Sequence, residues 1–336
     1  MKAYEVREFG IDALALTDRD KPEPSPGEAL VRFRAAALNY RDVMVISGTY
    51  NPRMKLPAVP FSDGAGKVAV LGEGVTKWKV GDRVCPIVVQ HWFDGEPSEA
   101  KRRTSLGGGA RWDGVLREFG AFNEHSLVRI PEHLTFEEAS TLPCSAVTAW
   151  NALVVSGGLK AGDTVLTLGT GGVSIFALQF AKQHGVRVIA TTSCDEKATK
   201  LKRLGADEVI NYKTRDDWDT AVLEITGKRG VDHVIEIGGA GTLAKSLKAV
   251  RIGGHVALIG ALSGPGDFDP ISVFMKAVRI QGIFVGSKQM FEDMNRAISV
   301  DQIKPVIDRV FEFDQAREAL KYMQSGAHFG KVVVRI

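Results

Sequence analysis

Cysteine is scarce in this chain of 336 residues: Cys85, Cys144 and Cys194 lie far apart and form no CxxC pair. That excludes a disulfide framework and a thiolate zinc lobe, and it points to a reducing compartment, with the cytoplasm as the expectation. Neither sign of charge dominates, since Lys+Arg number 43 against Asp+Glu 40, for a net charge of +3. The dense basic surface of a nucleic-acid binder is therefore absent. The N-terminal MKAYEVREFG has no apolar core, and the most apolar stretch further on is broken by glycines, so neither a signal peptide nor a membrane span is expected. The seven histidines, at 91, 125, 133, 184, 233, 255 and 328, show no HxxxH or HxE spacing and mark no metal or acid–base motif; only His91 lies in a stretch where a functional role is worth testing.

What is present is ordinary in bulk, with 44% hydrophobic and 25% charged residues, but the length exceeds one comfortable core and predicts two domains. The chain is organised around Asp163 to Asp195, which reads as strand, glycine turn, helix and second strand. Thr164 to Leu168 is a short β-branched run. Val173 to Gln183 then places Val173, Phe176, Ala177, Phe180 and Ala181 on one helical face, Gly185 closes the helix, and Arg187 to Thr191 opens the next strand. In the turn GTGGVS, Gly169 permits the tight bend, and Gly171 with Gly172 lets the backbone approach a pyrophosphate at the helix N-terminus. Ser174 stands where the dinucleotide fingerprint asks for Gly or Ala. Further strands are expected at Glu208 to Asn211, Val231 to Ile237 and His255 to Ile259, separated by helices ending at Gly205, Gly227 and Gly253; this alternation builds a doubly wound parallel sheet of the Rossmann type.

Residues 1 to about 130 lack that rhythm. Short alternating runs such as Glu28 to Phe33 and Gly66 to Leu71, with turns at PEPSPGE, GEGV and VGDRV, predict an antiparallel, barrel-like domain. Gln90 to Gly114 mixes three adjacent basic residues, a glycine triplet and two tryptophans and reads as a long mobile loop, either a solvated excursion or a lid over a substrate pocket. A helical segment follows from Glu132. Toward the C-terminus we expect a strand over Arg279 to Val285, a helix over Phe291 to Ile298, an amphipathic helix burying Phe313, Ala316, Leu320 and Met323, and a final strand in GKVVVRI that returns to the first domain.

LNYRDVMVISGTY, PFSDGAGKV, GEGVTKWKVGDRV, LPCSAVTAW, GTGGVS, GADEVINY and GKVVV occur in the right order over essentially the whole chain, which resembles the medium-chain dehydrogenase/reductase superfamily and, within it, the zinc-independent quinone oxidoreductase and alcohol dehydrogenase-like branch. The resemblance implies an α/β fold: a Rossmann domain over residues 144–286 and a discontinuous GroES-like antiparallel β-barrel substrate domain over 1–143 and 287–336. It also implies NAD(P)H bound in the cleft between them and a homodimer joined through Arg279 to Val285. Asn39 and Thr148 would then lie by the nicotinamide, with Tyr50 facing the substrate, as the catalytic candidates. Asn39, Thr148, Gly169, Thr170, Gly171, Gly172, Val173, Ser193, Lys197, Tyr212, Gly260, Phe284 and Val285 would bind the cofactor. Each of the three catalytic candidates has a structural alternative: Asn39 capping a helix at Tyr40, Tyr50 half-buried in packing, Thr148 bonding its own helix.

Zinc-dependent members carry ligands where this chain has Asn39, Ser62-Asp63 and Cys144, so no zinc is expected, and Cys144 reads as a small buried hydrophobe. Asp42 and Asp63, acids in apolar settings, read as partners of a nearby Arg or of backbone groups. The second strand of the βαβ unit ends Thr191-Thr192-Ser193-Cys194 without the acid that would hold an NAD ribose, and Asp195 reads as the cap of the next helix. In the quinone oxidoreductase branch a Ser, Lys and Tyr at positions matching Ser193, Lys197 and Tyr212 hold a 2′-phosphate, so NADP(H) is expected over NAD(H), with Lys200 in reach of the same corner. The expected activity is hydride transfer between NADPH and a quinone, enone or related small carbonyl compound, with no nucleic-acid or membrane partner. An NAD(P)-dependent alcohol dehydrogenase and a non-catalytic NADP(H)-binding protein remain alternatives.

Overall fold

In a computed structural model, residues 1–108, 112–264, 266–267 and 269–336 are described. They divide into two compact units, Met1–Val147 with Gly286–Ile336, and Thr148–Val285. The first stretch of unit one supplies β1 (Lys2–Glu5), β2 (Ala15–Asp18), β3 (Glu28–Ala37), β4 (Asp63–Leu71), β5 (Arg83–Pro86), β6 (Phe119–Asn123) and β7 (Leu127–Arg129). β3 runs on past Phe33 through Ala35-Ala36-Ala37, because it is flanked by strands on both sides along its length, and small side chains suit a backbone hemmed in by Gly64 and Ala65 of β4. Phe33 meets Phe122 edge to face at 5.8 Å, and both join Leu116, Phe61 and Val31 in this unit's core.

Unit two contributes β8 (Thr164–Thr167), β9 (Arg187–Thr192), β10 (Glu208–Asn211), β11 (Val231–Glu236), β12 (Val250–Leu258) and β13 (Arg279–Gly282). They form a parallel sheet in the order β10-β9-β8-β11-β12-β13. Every residue of β8 and β11 is buried, as strands covered on both faces must be, and helix Gly172–Gln183 packs Ile175, Phe176, Ala177, Phe180 and Ala181 into the interior. The strand order reverses between β8 and β11, which opens a crevice at their carboxyl ends, the place where such sheets bind ligands. One helix stops sooner than Gly253 suggested: it ends at Ala249, Val250 turns extended, and Gly253 at φ +69° is an irregularity inside β12. β13 likewise ends at Gly282, three residues short of the expected Val285.

The chain then returns to unit one with β14 (Ile307–Phe311) and β15 (Lys331–Arg335). That unit's larger sheet runs β14-β15-β3-β4-β5-β7, with β6 also on β3. The sheet departs from pure antiparallel pairing because β14 and β15 are parallel, joined through helix Ala316–Gln324, the kind of crossover a parallel pair requires. Among its described residues the stretch from Gln90 to Gly114 carries structure of its own: a short helix, Glu99–Arg102, starts at Ser98, Trp92 is buried, and backbone bonds tie Lys288 and Gln289 to Trp92 and Phe93. Residues 109–111, with one glycine of the triplet, lie outside the described residues. After Thr135, whose hydroxyl and Glu138 close a capping box, the expected helical segment is α-helical only over Phe136–Ser140 and Val147–Trp150, with wide π-type turns at Leu142–Ala146 and Asn151–Val155.

Candidate functional site

At the crevice of unit two, Gly169 adopts φ +69° and donates its N–H to the Thr191 hydroxyl at 3.1 Å, locking the bend after β8 to the end of β9. Gly171 caps helix Gly172–Gln183, and a Cβ built on it would meet nothing within 4 Å, so the space above this helix end is open. Ser174 fits the fingerprint's small-residue position because its hydroxyl folds back onto the Leu168 carbonyl at 2.7 Å. Thr170 is buried and Val173 half-buried beside it. Across the switch point, the buried Glu236 at the end of β11 accepts from the N–H groups of Gly238 and Gly239 and from the Thr242 hydroxyl at 2.6 Å. Gly260 passes so close to this turn that a Cβ would lie 2.1 Å from the Ile237 carbonyl oxygen. An acid ending an apolar strand just before Gly-Gly was the sequence signal for Glu236.

At the outer end of β9, β10 pairs Asn211 with Thr192, and the Tyr212 N–H reaches the Thr192 carbonyl at 2.9 Å, which brings Tyr212 beside the end of the strand that leads into Ser193; Lys197 lies in the first turn of the helix Asp195–Arg203 that follows. Ser193 and Lys197 are half-buried and Tyr212 is exposed. Lys200 forms an ion pair with Glu196 at 2.9 Å. Asp195 does not cap its helix. Cys194 takes that position, and Asp195, the first helical residue, accepts from Asn211 Nδ2 at 2.8 Å. On the far side of the unit, Val285 holds φ +48°, costly for a β-branched residue, and its carbonyl accepts from Asn151 Nδ2 at 2.7 Å. Thr148 is buried and Phe284 exposed.

Unit one gathers a second group of polar residues, nearly all buried. Asn39 precedes helix Tyr40–Ile46, and its N–H donates to the Asp42 carboxylate at 2.7 Å. Its side-chain oxygen accepts from the Ser145 hydroxyl at 3.0 Å and from the Lys331 ammonium at 2.7 Å. Lys331, only 2% exposed, also donates to the Leu38 carbonyl and the Ser145 hydroxyl and lies 3.9 Å from Asp63. Asp63 accepts from the Ser62 hydroxyl at 2.9 Å and the Cys144 N–H at 3.2 Å. Burial pushes the Asp63 carboxyl up, opposed by Lys331, then Asn39, Ser62 and the Cys144 N–H. Burial likewise raises Asp42 to about 7 and the Cys144 thiol to about 12. Both acids thus hold backbone groups, as expected, Asp63 the Cys144 N–H and Asp42 the Asn39 N–H; the cation beside Asp63 is a lysine, and Arg41 is the cation whose field opposes the rise at Asp42. Tyr50 is exposed, with the Arg41 guanidinium 4.9 Å over its ring.

Residues 25–132 match the family model described as alcohol dehydrogenase GroES-like domain, and residues 172–300 the one described as zinc-binding dehydrogenase. A zinc-type alcohol dehydrogenase-like protein of Schizosaccharomyces pombe is 42% identical over 97% of this chain and 96% of its own length. The chain belongs to the medium-chain dehydrogenase/reductase superfamily. Solved superfamily members repeat the fold end to end: an NAD-dependent alcohol dehydrogenase matches at 34% identity with TM-score 0.91, covering 100% of both chains. A mycobacterial protein complexed with NADPH matches at 30% identity with TM-score 0.84, again over 100% of each. As a medium-chain dehydrogenase/reductase the protein is an NAD(P)-dependent oxidoreductase with a GroES-like domain and a parallel Rossmann-type sheet. No helix among the described residues is long and apolar enough to cross a membrane. Within the superfamily frame the residue that sequence reasoning missed is Lys331, which looked like the first residue of a strand; two acids in apolar surroundings were the signal that a buried cation had to exist.

Proposed function

We propose that this enzyme reduces a quinone, an enone or a related carbonyl compound with NADPH and without zinc. The observation that carries the reading is the Lys331 cluster: the positions that could have ligated zinc are bound into a hydrogen-bond network around an ammonium group. Asn39 Oδ1 is taken by Lys331 and Ser145, and Asp63 by Ser62 and the Cys144 N–H, which leaves Cys144 as the one soft ligand where catalytic zinc needs three protein ligands. This donor set does not fit zinc, and no histidine joins it. Oxidation of a simple alcohol needs a metal or base to take the hydroxyl proton, whereas reduction of a conjugated double bond needs N–H or O–H donors for charge developing on an oxygen. Relatives named for such chemistry include an acryloyl-coenzyme A reductase of Sulfurisphaera tokodaii, 31% identical over 94% of each chain, and the human quinone oxidoreductase, 28% identical over 95% of this chain.

The cofactor fits unit two: the turn from Gly169 to Val173 would receive the pyrophosphate, and Ser193, Lys197 and Tyr212 a 2′-phosphate, with Gly260, Phe284 and Val285 nearer the nicotinamide half. Bound nicotinamide supplies the hydride. β13 is the outer strand of its sheet, flanked by exposed Ile252, Phe274 and Met275, and would pair with a second copy; sedimentation showing a stable monomer at micromolar concentration removes that part. Purified protein is incubated with NADPH and quinones, enals and alcohols before and after exhaustive chelation. Oxidation of NADPH by quinones or enals, unchanged by chelation, is expected. Turnover confined to alcohols, or activity lost in step with about one zinc per chain, overturns the reading.

A further inference from the structure

We propose that Lys331 is a positioning residue that turns the Asn39 side chain so that its amide N–H group is offered to a carbonyl oxygen of the bound substrate or cofactor. The proposal rests on the oxidoreductase reading and adds a residue to it. An asparagine amide can sit in either of two flipped orientations, and its neighbours decide which. Lys331 can only donate and lies 2.7 Å from the amide, so the atom facing it must be the oxygen. The Ser145 hydroxyl donates to the same oxygen at 3.0 Å, and Lys331 itself is held by Leu38 and Ser145, which leaves the orientation no freedom. Asn39 Nδ2 is thereby directed away from both. It is buried and finds no partner of ordinary hydrogen-bond geometry among the described residues, although the Asn39 side chain helps hold the Asp63 carboxyl down through a weak hydrogen bond.

A buried donor left open costs free energy in the free protein and regains it when an acceptor arrives, which makes it a ready oxyanion or carboxamide contact. The nearby acids are largely occupied: Asp42 takes the Asn39 backbone N–H, and Asp63 takes Ser62 and Cys144 at ordinary distances beside its weaker bond from the Asn39 side chain. Lys331 thus contributes no contact to the ligand; it acts through Asn39, from a strand 292 residues further along the chain.

The test is a double-mutant cycle between Lys331→Met and Asn39→Ala, read in kcat/KM and, separately, in the NADPH dissociation constant measured by fluorescence. Because loss of Lys331 alone leaves the Asp63 carboxylate buried without its counter-ion, the cycle is built on Asp63→Asn; should that variant fail to fold, Lys331→Arg replaces Lys331→Met in the wild-type background. Each single change is expected to cost about tenfold or more, and the double variant no more than Asn39→Ala alone, a coupling that a merely structural lysine would not show. Coupling in kcat/KM with an unchanged NADPH constant assigns the acceptor to the substrate, and coupling in the constant assigns it to the nicotinamide carboxamide. Effects that multiply independently in both readouts overturn the proposal. A protein that binds NADPH with coupling but turns nothing over keeps the proposal and loses the oxidoreductase reading.

Discussion

The glycine turn of unit two and the lysine cluster of unit one, the two candidate sites, are built by opposite means. The turn uses backbone alone: open space above Gly171, a fixed bend at Gly169, and an acid, Glu236, spent on holding neighbouring N–H groups. The cluster uses side chains, with Lys331, Asp63 and Asn39 buried together and every donor of the lysine answered. Backbone recognition leaves stability almost independent of the site, whereas a buried charged network makes the site part of the core.

That contrast can be broken or sharpened by substitution. Lys331→Met is expected to do the most damage, lowering unfolding free energy by about 3–5 kcal/mol through the unpaired Asp63 carboxylate, measured by denaturant titration; a loss under about 1 kcal/mol would show that the cluster is not part of the core. Gly171→Asp should do the reverse. Its φ of −75° suits any residue and its Cβ has room, so unfolding should be unchanged, while a carboxylate facing a pyrophosphate weakens NADPH binding about 100-fold. A destabilised variant would place the turn in the same class as the cluster. Lys197→Ala narrows the test to one phosphate: NADPH efficiency falls by an amount equivalent to about 1.5–3 kcal/mol with NADH nearly untouched, and equal losses for both, or a wild type preferring NADH, would remove the 2′-phosphate assignment.

The smallest expected effect concerns acid. His233 and His255 face each other across β11 and β12 with ring nitrogens 3.4 Å apart; Asp163 lies 3.2 Å from His233, and Asp232, Arg251 and Arg279 surround the pair. Burial, then Arg279 and His233, hold His255 down to about 3, and burial also lowers His233 against the pull of Asp163. Since the folded state prefers both rings neutral, their contribution is complete above the unfolded value near 6.5 and is lost as pH falls below it. Stability should drop by about 1–2 kcal/mol between pH 6.5 and 5, and His255→Phe should flatten that limb. Parallel curves for the variant and the wild type would show that the pair does not titrate on folding.

How much could be read from residues alone follows the same division. The βαβ unit lies within some thirty consecutive positions, so its strands, helix and turn were legible to within a residue or two, and the misplaced helix end at Gly253 came from treating a glycine inside a strand as a stop. The cluster is assembled from positions 39, 63, 145 and 331, and no local pattern links them. Lys331 opens GKVVV and resembles a solvent-facing residue at a strand start; only the pairing of Val333 with Ala37 shows where it is buried. Asp195 was misread as a cap for a related reason, since its partner, Asn211, belongs to the next strand.

The distance between Asn39 and Lys331 also sets a timetable. A ribosome adding about 5–20 residues per second reaches Lys331 roughly 15–60 s after Asn39. During that interval β3 has no β15 beside it, and Asp63 has no lysine, while Thr148–Val285 emerges as one contiguous stretch with its whole sheet encoded within it. The parallel-sheet unit is therefore expected to fold on the ribosome while the other unit waits, with an unpaired strand edge and an uncompensated acid as the features a chaperone would find first.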